Sequence, residues 1–239
     1  MPRFFLENID LSCPKISGED AKHIGRSLRM KPGQPLTVCS CGRDYFCEIQ
    51  SITPDEVFLK IKDQKLCSAE PTVEVTLFQA VPKYDKLEHI IQKSVELGVT
   101  KIVPVLTKRC VSRPDKKDFS KKLMRLNKIA LEASKQSGRG IIPEVTEIIS
   151  FSEAIKQMCE SDCPLMLYEE GGVRFSEISA LNKKSFAIFI GSEGGFDETE
   201  AEEAKKAGIT PIWLGERILR CETAPLAALS ILMFITKNL

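Results

Sequence analysis

Two short apolar runs, each ending in a polar, glycine-bearing turn, hold the residues best suited to chemistry. The first is Phe186-Ala187-Ile188-Phe189-Ile190-Gly191-Ser192-Glu193-Gly194-Gly195; the second is Ile212-Trp213-Leu214-Gly215-Glu216-Arg217-Ile218-Leu219-Arg220-Cys221-Glu222-Thr223-Ala224. Each run is too short for a helix and is stopped by glycine, so each reads as a buried strand. Turns at the carboxyl ends of parallel strands are where an α/β sheet holds small ligands. A dinucleotide fingerprint starting at Gly191 needs glycine where Glu193 and Phe196 stand, and a P-loop needs a Gly-Lys-Ser/Thr run that is absent. A carboxylate at Glu193 would also repel a phosphate, so the turn suits a neutral or cationic ligand. Taken alone, the first turn is equally consistent with a plain strand-to-helix connection.

The second turn tips that balance. Arg217, Arg220, Glu222 and Thr223 fall between a strand and a strongly apolar helix, where an unpartnered polar cluster is costly. Ile-Gly-Ser-Glu-Gly-Gly-Phe at 190–196 and Leu-Gly-Glu-Arg-Ile-Leu-Arg-Cys-Glu-Thr-Ala at 214–224 together resemble the signature of the bacterial RsmE family, SPOUT-superfamily methyltransferases of 16S ribosomal RNA. Ser192 stands where that family usually has proline, a change expected to loosen the turn. The resemblance extends to His23–Gly33, to Lys86–Gly98 and to Leu131–Arg139, where Lys135 replaces a common glutamate and so puts an acid role at that position in doubt.

The resemblance implies S-adenosylmethionine as cofactor and N3 of a uridine in the small-subunit RNA as methyl acceptor, with a homodimer as the working form. A SPOUT enzyme for another RNA target, or a non-catalytic RNA-binding assembly factor, is the alternative. Backbone groups at Leu167, Tyr168 and Glu169, at Ile190, Gly191, Glu193 and Gly194, and at Leu214, Gly215, Ile218, Leu219, Arg220, Thr223 and Ala224 are the expected cofactor contacts. Uracil N3 must lose a proton, so a base or a stabiliser of the uracil anion is needed. Arg220 is the candidate stabiliser, and Glu193 or Glu222 the candidate base, though ion pairing is an equally physical role for the two acids.

The elements that position these groups divide near Glu70-Pro71. Residues 1–70 alternate short strand-like runs (Pro35–Cys39, Tyr45–Ser51, Val57–Ile61) with turns, which predicts a small antiparallel barrel or sandwich. The resemblance makes this a PUA-like RNA-binding domain. Arg3, Arg26 and Arg29 are its candidate RNA contacts, the last two able to share a helical face. Residues 71–239 alternate strands and helices, which predicts an α/β parallel sheet: strands at Val73–Ala80, Lys101–Leu106, Pro164–Tyr168 and Phe186–Ile190, helices at Asp85–Leu97 and Phe119–Ser137. Asp197 with Glu200 three residues on forms a capping box, and Thr223 is a candidate cap for the last helix. A trefoil knot follows from the resemblance alone, since connectivity rules would never propose one.

The net charge of +1 hides a segregation along the chain. Lys101–Arg139 has twelve Lys or Arg against three acids, a local +9, whereas Glu144–Glu203 has fourteen acids against four bases, a local −10. A basic block of loop and helix suits phosphate contact, with Arg109, Lys116, Lys117, Gln136 and Arg139 as RNA candidates; a solvated helix face is the competing reading. Nine cysteines without Cys-x-x-Cys spacing, and two histidines, point to reduced thiols in a cytoplasm and to no metal. Cys39 and Cys41, expected to share one strand face, lack a second pair for zinc. No apolar run spans a bilayer and no signal-peptide pattern opens the chain.

Overall fold

The computed structural model describes residues 1–179 and 182–239 and resolves into two compact units, 1–70 with 134–141, and 71–133 with 142–239. In the first unit β1 (Arg3–Phe5), β2 (Lys15–Ser17), β3 (Pro35–Ser40), β4 (Arg43–Ile52) and β5 (Glu56–Leu66) form one sheet in the order β1-β3-β4-β5-β2. All pairings are antiparallel except β1 with β3. Cys41 (φ 49°) and Gly42 (φ 71°) both take left-handed backbone in the two-residue turn that joins β3 to β4, as a primed hairpin turn requires. That turn overturns the expectation for Cys39 and Cys41, because the strand ends at Ser40 and leaves Cys39 buried and Cys41 exposed. Phe4, Ile16, Leu36, Val38, Ile49, Val57 and Leu59 fill the core of this unit.

Short helix α1 (Gly18–Lys22) runs on into a π-helical turn, His23–Ser27. Arg29 lies beyond it with φ at 49°, so Arg26 and Arg29 do not share a helical face as expected; the backbone has already left the helix between them.

The second unit is a parallel sheet of β6 (Glu74–Ala80), β7 (Lys101–Leu106), β8 (Glu144–Val145), β9 (Ile149–Ser150), β10 (Cys163–Leu167), β11 (Ser185–Ile190) and β12 (Thr210–Ile212). Its order is β12-β10-β11-β6-β7-β8, with β9 also on β7. Between strands come α2 (Lys86–Glu96), α3 (Lys116–Ser137), α4 (Phe151–Met158) and α5 (Glu198–Lys206), and α6 (Ala224–Ile235) follows β12. Central strand β11 is apolar from Phe186 to Ile190 because both faces are covered there. Ile188 and Ile190 point into one core with Leu77, Ile90 and Leu229, while Ala187 and Phe189 point into the other with Phe78, Met166 and Phe196. Phe189 packs edge-on to Phe196 at 4.8 Å between ring centroids.

Asp197 caps α5 through a bond from the Thr199 N–H, and Glu200 closes the box. Thr223 does not cap α6 with its side chain: its backbone is already helical, which turns the hydroxyl away from the free N–H groups.

Candidate active site

A cavity of about 630 Å³ opens between the two glycine turns, at the carboxyl ends of β10, β11 and β12. All but one of the expected cofactor contacts line it: Leu167, Tyr168, Glu169, Ile190, Gly191, Glu193, Gly194, Leu214, Gly215, Ile218, Leu219, Arg220 and Ala224. Thr223 lies outside the lining. Tyr168 offers only its backbone side, because its ring is buried in the opposite core and its hydroxyl donates to Glu170 at 2.8 Å.

The first turn is tight where it holds glycine. A Cβ on Gly191 would meet Gly195 at 3.0 Å, and one on Gly195 (φ +65°) would collide with the Glu169 carboxylate. Contrary to expectation, Ser192 ties this turn down: its hydroxyl donates to the Arg109 carbonyl at 3.2 Å, and its own carbonyl accepts from Gly195 N–H at 3.0 Å. The Gln79 amide donates to the Gly191 carbonyl at 3.3 Å, and Arg109 to the Gly194 carbonyl at 3.0 Å.

Lys86 joins the two turns, and local pattern gives no sign of it because it lies more than a hundred residues upstream, at the start of α2. Its ammonium sits 3.1 Å from Glu193 and 3.0 Å from Glu222. Glu193 also accepts from the Lys83 backbone N–H at 3.0 Å. Partial burial acts to raise the Glu193 carboxyl, but these hydrogen bonds and the Lys86 charge outweigh it and hold the group below the ordinary carboxylate range. Glu222 is held low in the same way, against burial, chiefly by Lys86. Hydrogen bonds to Glu222 and then to Glu193 raise Lys86 in return. All three groups are therefore charged at neutral pH, and the two acids pair with Lys86 instead of with Arg217 or Arg220. Burial, reinforced by Glu222, pushes the Cys221 thiol up to about 12, so it stays protonated and unreactive.

Arg217 and Arg220 are exposed on the second turn and make no ion pair among the described residues. Ile218 between them is 85% exposed, which leaves this wall of the cavity open. The cavity is thus an apolar slot, walled by Leu167, Ile190, Ile212 and Leu214, with ionised Glu193 and the guanidinium-bearing Arg217 and Arg220 also in its lining; Glu222 lies outside the lining and reaches it only through Lys86.

The expected RNA contacts divide sharply. Arg26, Arg29, Arg109, Lys116, Lys117 and Gln136 are exposed. Arg3 is not free for phosphate: it grips Asp44 through two bonds of 2.6 and 3.1 Å and donates to the Arg139 carbonyl at 2.8 Å. Arg139 is 2% exposed and pairs with Glu70 at 2.7 Å. Both guanidinium groups are committed to the first unit's own fold, which the sequence could not reveal because their acids lie tens of residues away.

Comparison with known proteins decides what kind of chain this is. Residues 69–233 match the RNA methyltransferase domain and residues 16–62 the RNA methyltransferase PUA domain. The chain is 36% identical to Ribosomal RNA small subunit methyltransferase E of Bacillus subtilis (strain 168), over 100% of this chain and 98% of that protein. The chain belongs to the ribosomal RNA small subunit methyltransferase E family. Among solved members, the methyltransferase E of Neisseria gonorrhoeae, bound to S-adenosyl methionine, superposes with a TM-score of 0.87 at 31% identity, covering 98% of each chain. The methyltransferase E of Rickettsia conorii is 31% identical over 90% of this chain and 86% of its own. Membership accounts for a signature split between two distant turns: each forms one wall of the same cavity.

Proposed function

We propose that this chain methylates N3 of a uridine in small-subunit ribosomal RNA, with S-adenosylmethionine as donor. The observation that carries this reading is the cavity itself, an apolar slot lined by ionised Glu193 and unpaired Arg220, with Lys86 tying Glu193 to Glu222 behind it. Its volume is that of an ordinary small-molecule site. An acidic flank and an apolar slot suit a ligand with a cationic sulfonium and a flat adenine, and Glu193 disfavours a polyphosphate. When bound, the cofactor supplies an electrophilic methyl group for in-line displacement.

This chain's residues do the rest by position and charge. Leu167, Ile190 and Leu214 would enclose the adenine, and backbone groups of the two turns would hold its polar edge and the ribose. Glu193 would meet the positive end, and Lys86 holds Glu193 and Glu222 together while offsetting part of their repulsion. Carboxylates held this low are weak bases toward a ring N–H, so both are assigned to charge and placement, not to proton removal. Arg220 favours the uracil anion by hydrogen bonding to its carbonyl oxygens, so that N3 sheds its proton to solvent more readily as it attacks. The uridine leaves its stack to reach this position. Arg26, Arg29, Arg109, Lys116, Lys117 and Gln136 engage the RNA, and the working form is a cytoplasmic homodimer with a knotted methyltransferase domain.

The test is methyl transfer from isotopically labelled S-adenosylmethionine to small subunits, and separately to naked 16S RNA, isolated from a strain lacking the modification. Mass mapping is expected to find one methyl group on uracil N3. A methyl on a ribose hydroxyl, or no transfer at all, would overturn the reading.

A further inference from the structure

Tyr84 is an exposed aromatic held in a costly backbone conformation. It is 89% exposed, its φ is +55°, and it makes no hydrogen bond or ring contact among the described residues. A bulky residue in the left-handed region is a genuine outlier, and such strain persists only where flanking structure imposes it. The flanks do impose it. Val81 and Pro82 are buried before it, the Lys83 N–H is bonded to Glu193, and Lys86 two residues on is bonded to both Glu193 and Glu222. The segment that anchors cavity-lining Glu193 and its partner Lys86 therefore also displays an unpartnered ring, between Lys83 and Lys86 in sequence, with the ammonium-bearing side chain of Lys83 adjacent.

An aromatic face beside a lysine is the pairing that binds unpaired RNA, the ring stacking on a base and the cation meeting its phosphate. Packing gives no competing reason for a tyrosine here, since the ring buries almost nothing. We infer that Tyr84 is a stacking platform for an unpaired nucleobase of the RNA substrate at the edge of the cavity. This rests on the proposed RNA methyl transfer. Tyr84 is a positioning residue: it holds the strand so that the acceptor base reaches the slot.

The experiment is steady-state methylation by the full chain with small subunits as substrate. Tyr84→Asn keeps a residue that tolerates the left-handed region but removes the ring. It is expected to raise KM for the RNA substrate at least about fivefold, while kcat and the S-adenosylmethionine affinity measured by calorimetry stay within about twofold. Tyr84→Phe, which keeps the ring, is expected to retain the wild-type KM. Tyr84→Gly is a second ring-free variant should Tyr84→Asn fail to bind cofactor. Ring-free variants with wild-type KM, or with a loss confined to kcat, would overturn the inference. Absence of any RNA methylation by the wild-type chain would instead remove the proposed function on which it rests.

Discussion

Two clusters of basic and acidic side chains contrast: one is closed, and the other is left open. In the first unit, buried Arg139 pairs with part-buried Glu70: the carboxylate also accepts from the N–H groups of Gly140 and Ile141 at 2.6 and 3.0 Å, and Arg3 is bound to Asp44 and the Arg139 carbonyl. Burial acts to raise Glu70, and the Arg139 bonds outweigh it. In the second unit, Lys86 bridges Glu193 and Glu222, but Arg217 and Arg220 stay exposed and unpaired beside them. The same residue types are tied into the fold where each charge has a partner, and stay available for recognition where a charge is left over. Arginine identity alone does not separate the two clusters; the presence of a partner does.

The closed cluster gives the largest expected effect. Arg139→Ala leaves the part-buried Glu70 carboxylate with only the Gly140 and Ile141 N–H groups, and breaking a buried pair from one side costs about 3–5 kcal/mol, here expected at the lower end. Urea unfolding is expected to show that loss, with methyl transfer per folded molecule largely retained. A variant of wild-type stability that instead lost RNA affinity would return Arg139 to the RNA-binding surface and dissolve the contrast.

The open cluster is expected to show the opposite signature. Arg220→Ala removes a charge with no structural partner, so the melting curve is expected to stay where it is. Loss of one preformed donor to a developing anion costs about 10²–10³-fold in rate. Cofactor affinity is expected to change only modestly. Wild-type turnover by this variant would take Arg220 out of the chemistry.

Lys86→Met sharpens the boundary between the clusters, since Lys86 belongs to both the fold and the site. In the wild type both acids have depressed pKa values, so the stability they contribute is present above the ordinary carboxylate range and is lost as pH falls through their folded values. Without Lys86 the two like charges face each other, and one of them rises. S-adenosylmethionine affinity in the variant is therefore expected to begin falling at a higher pH than in the wild type on acidification. Titration calorimetry across the acidic range measures this, and superimposable profiles would show that Lys86 does not tune the pair.

What was legible in the sequence follows the same division between local and distant causes. The glycine turns, the Asp197–Glu200 capping box and the apolar run of β11 are set by neighbouring residues, so the cavity's two walls were readable from types and spacing. Partnerships were not. Lys86 with Glu222, Arg139 with Glu70 and Arg3 with Asp44 each join residues at least 41 apart, and nothing in local pattern marks them. Ser192 illustrates the middle case: its position in the turn was clear, but its tie to the Arg109 carbonyl came only with the fold. Where the pattern of a helix end mattered, as at Thr223 and Arg29, a single residue's backbone angle decided the outcome against expectation.

The smallest effect concerns the basic face of α3, which tests whether open charge predicts recognition beyond the cavity. Lys116, Lys117, Lys121 and Lys122 are all exposed, and of the four only Lys121 makes an ion pair among the described residues, 2.7 Å to Asp118. Pairs this exposed contribute little, so these ammonium groups behave as available charge. Neutralising all four to Gln is expected to leave cofactor binding and kcat unchanged while lowering RNA affinity. The diagnostic quantity is the dependence of log affinity on log salt, because each phosphate that goes unneutralised takes about 0.7–0.9 off the slope. A flatter slope places phosphates on this face and extends the rule drawn from the two clusters; an unchanged slope makes the lysines a solvated surface and confines that rule to charges that flank the cavity.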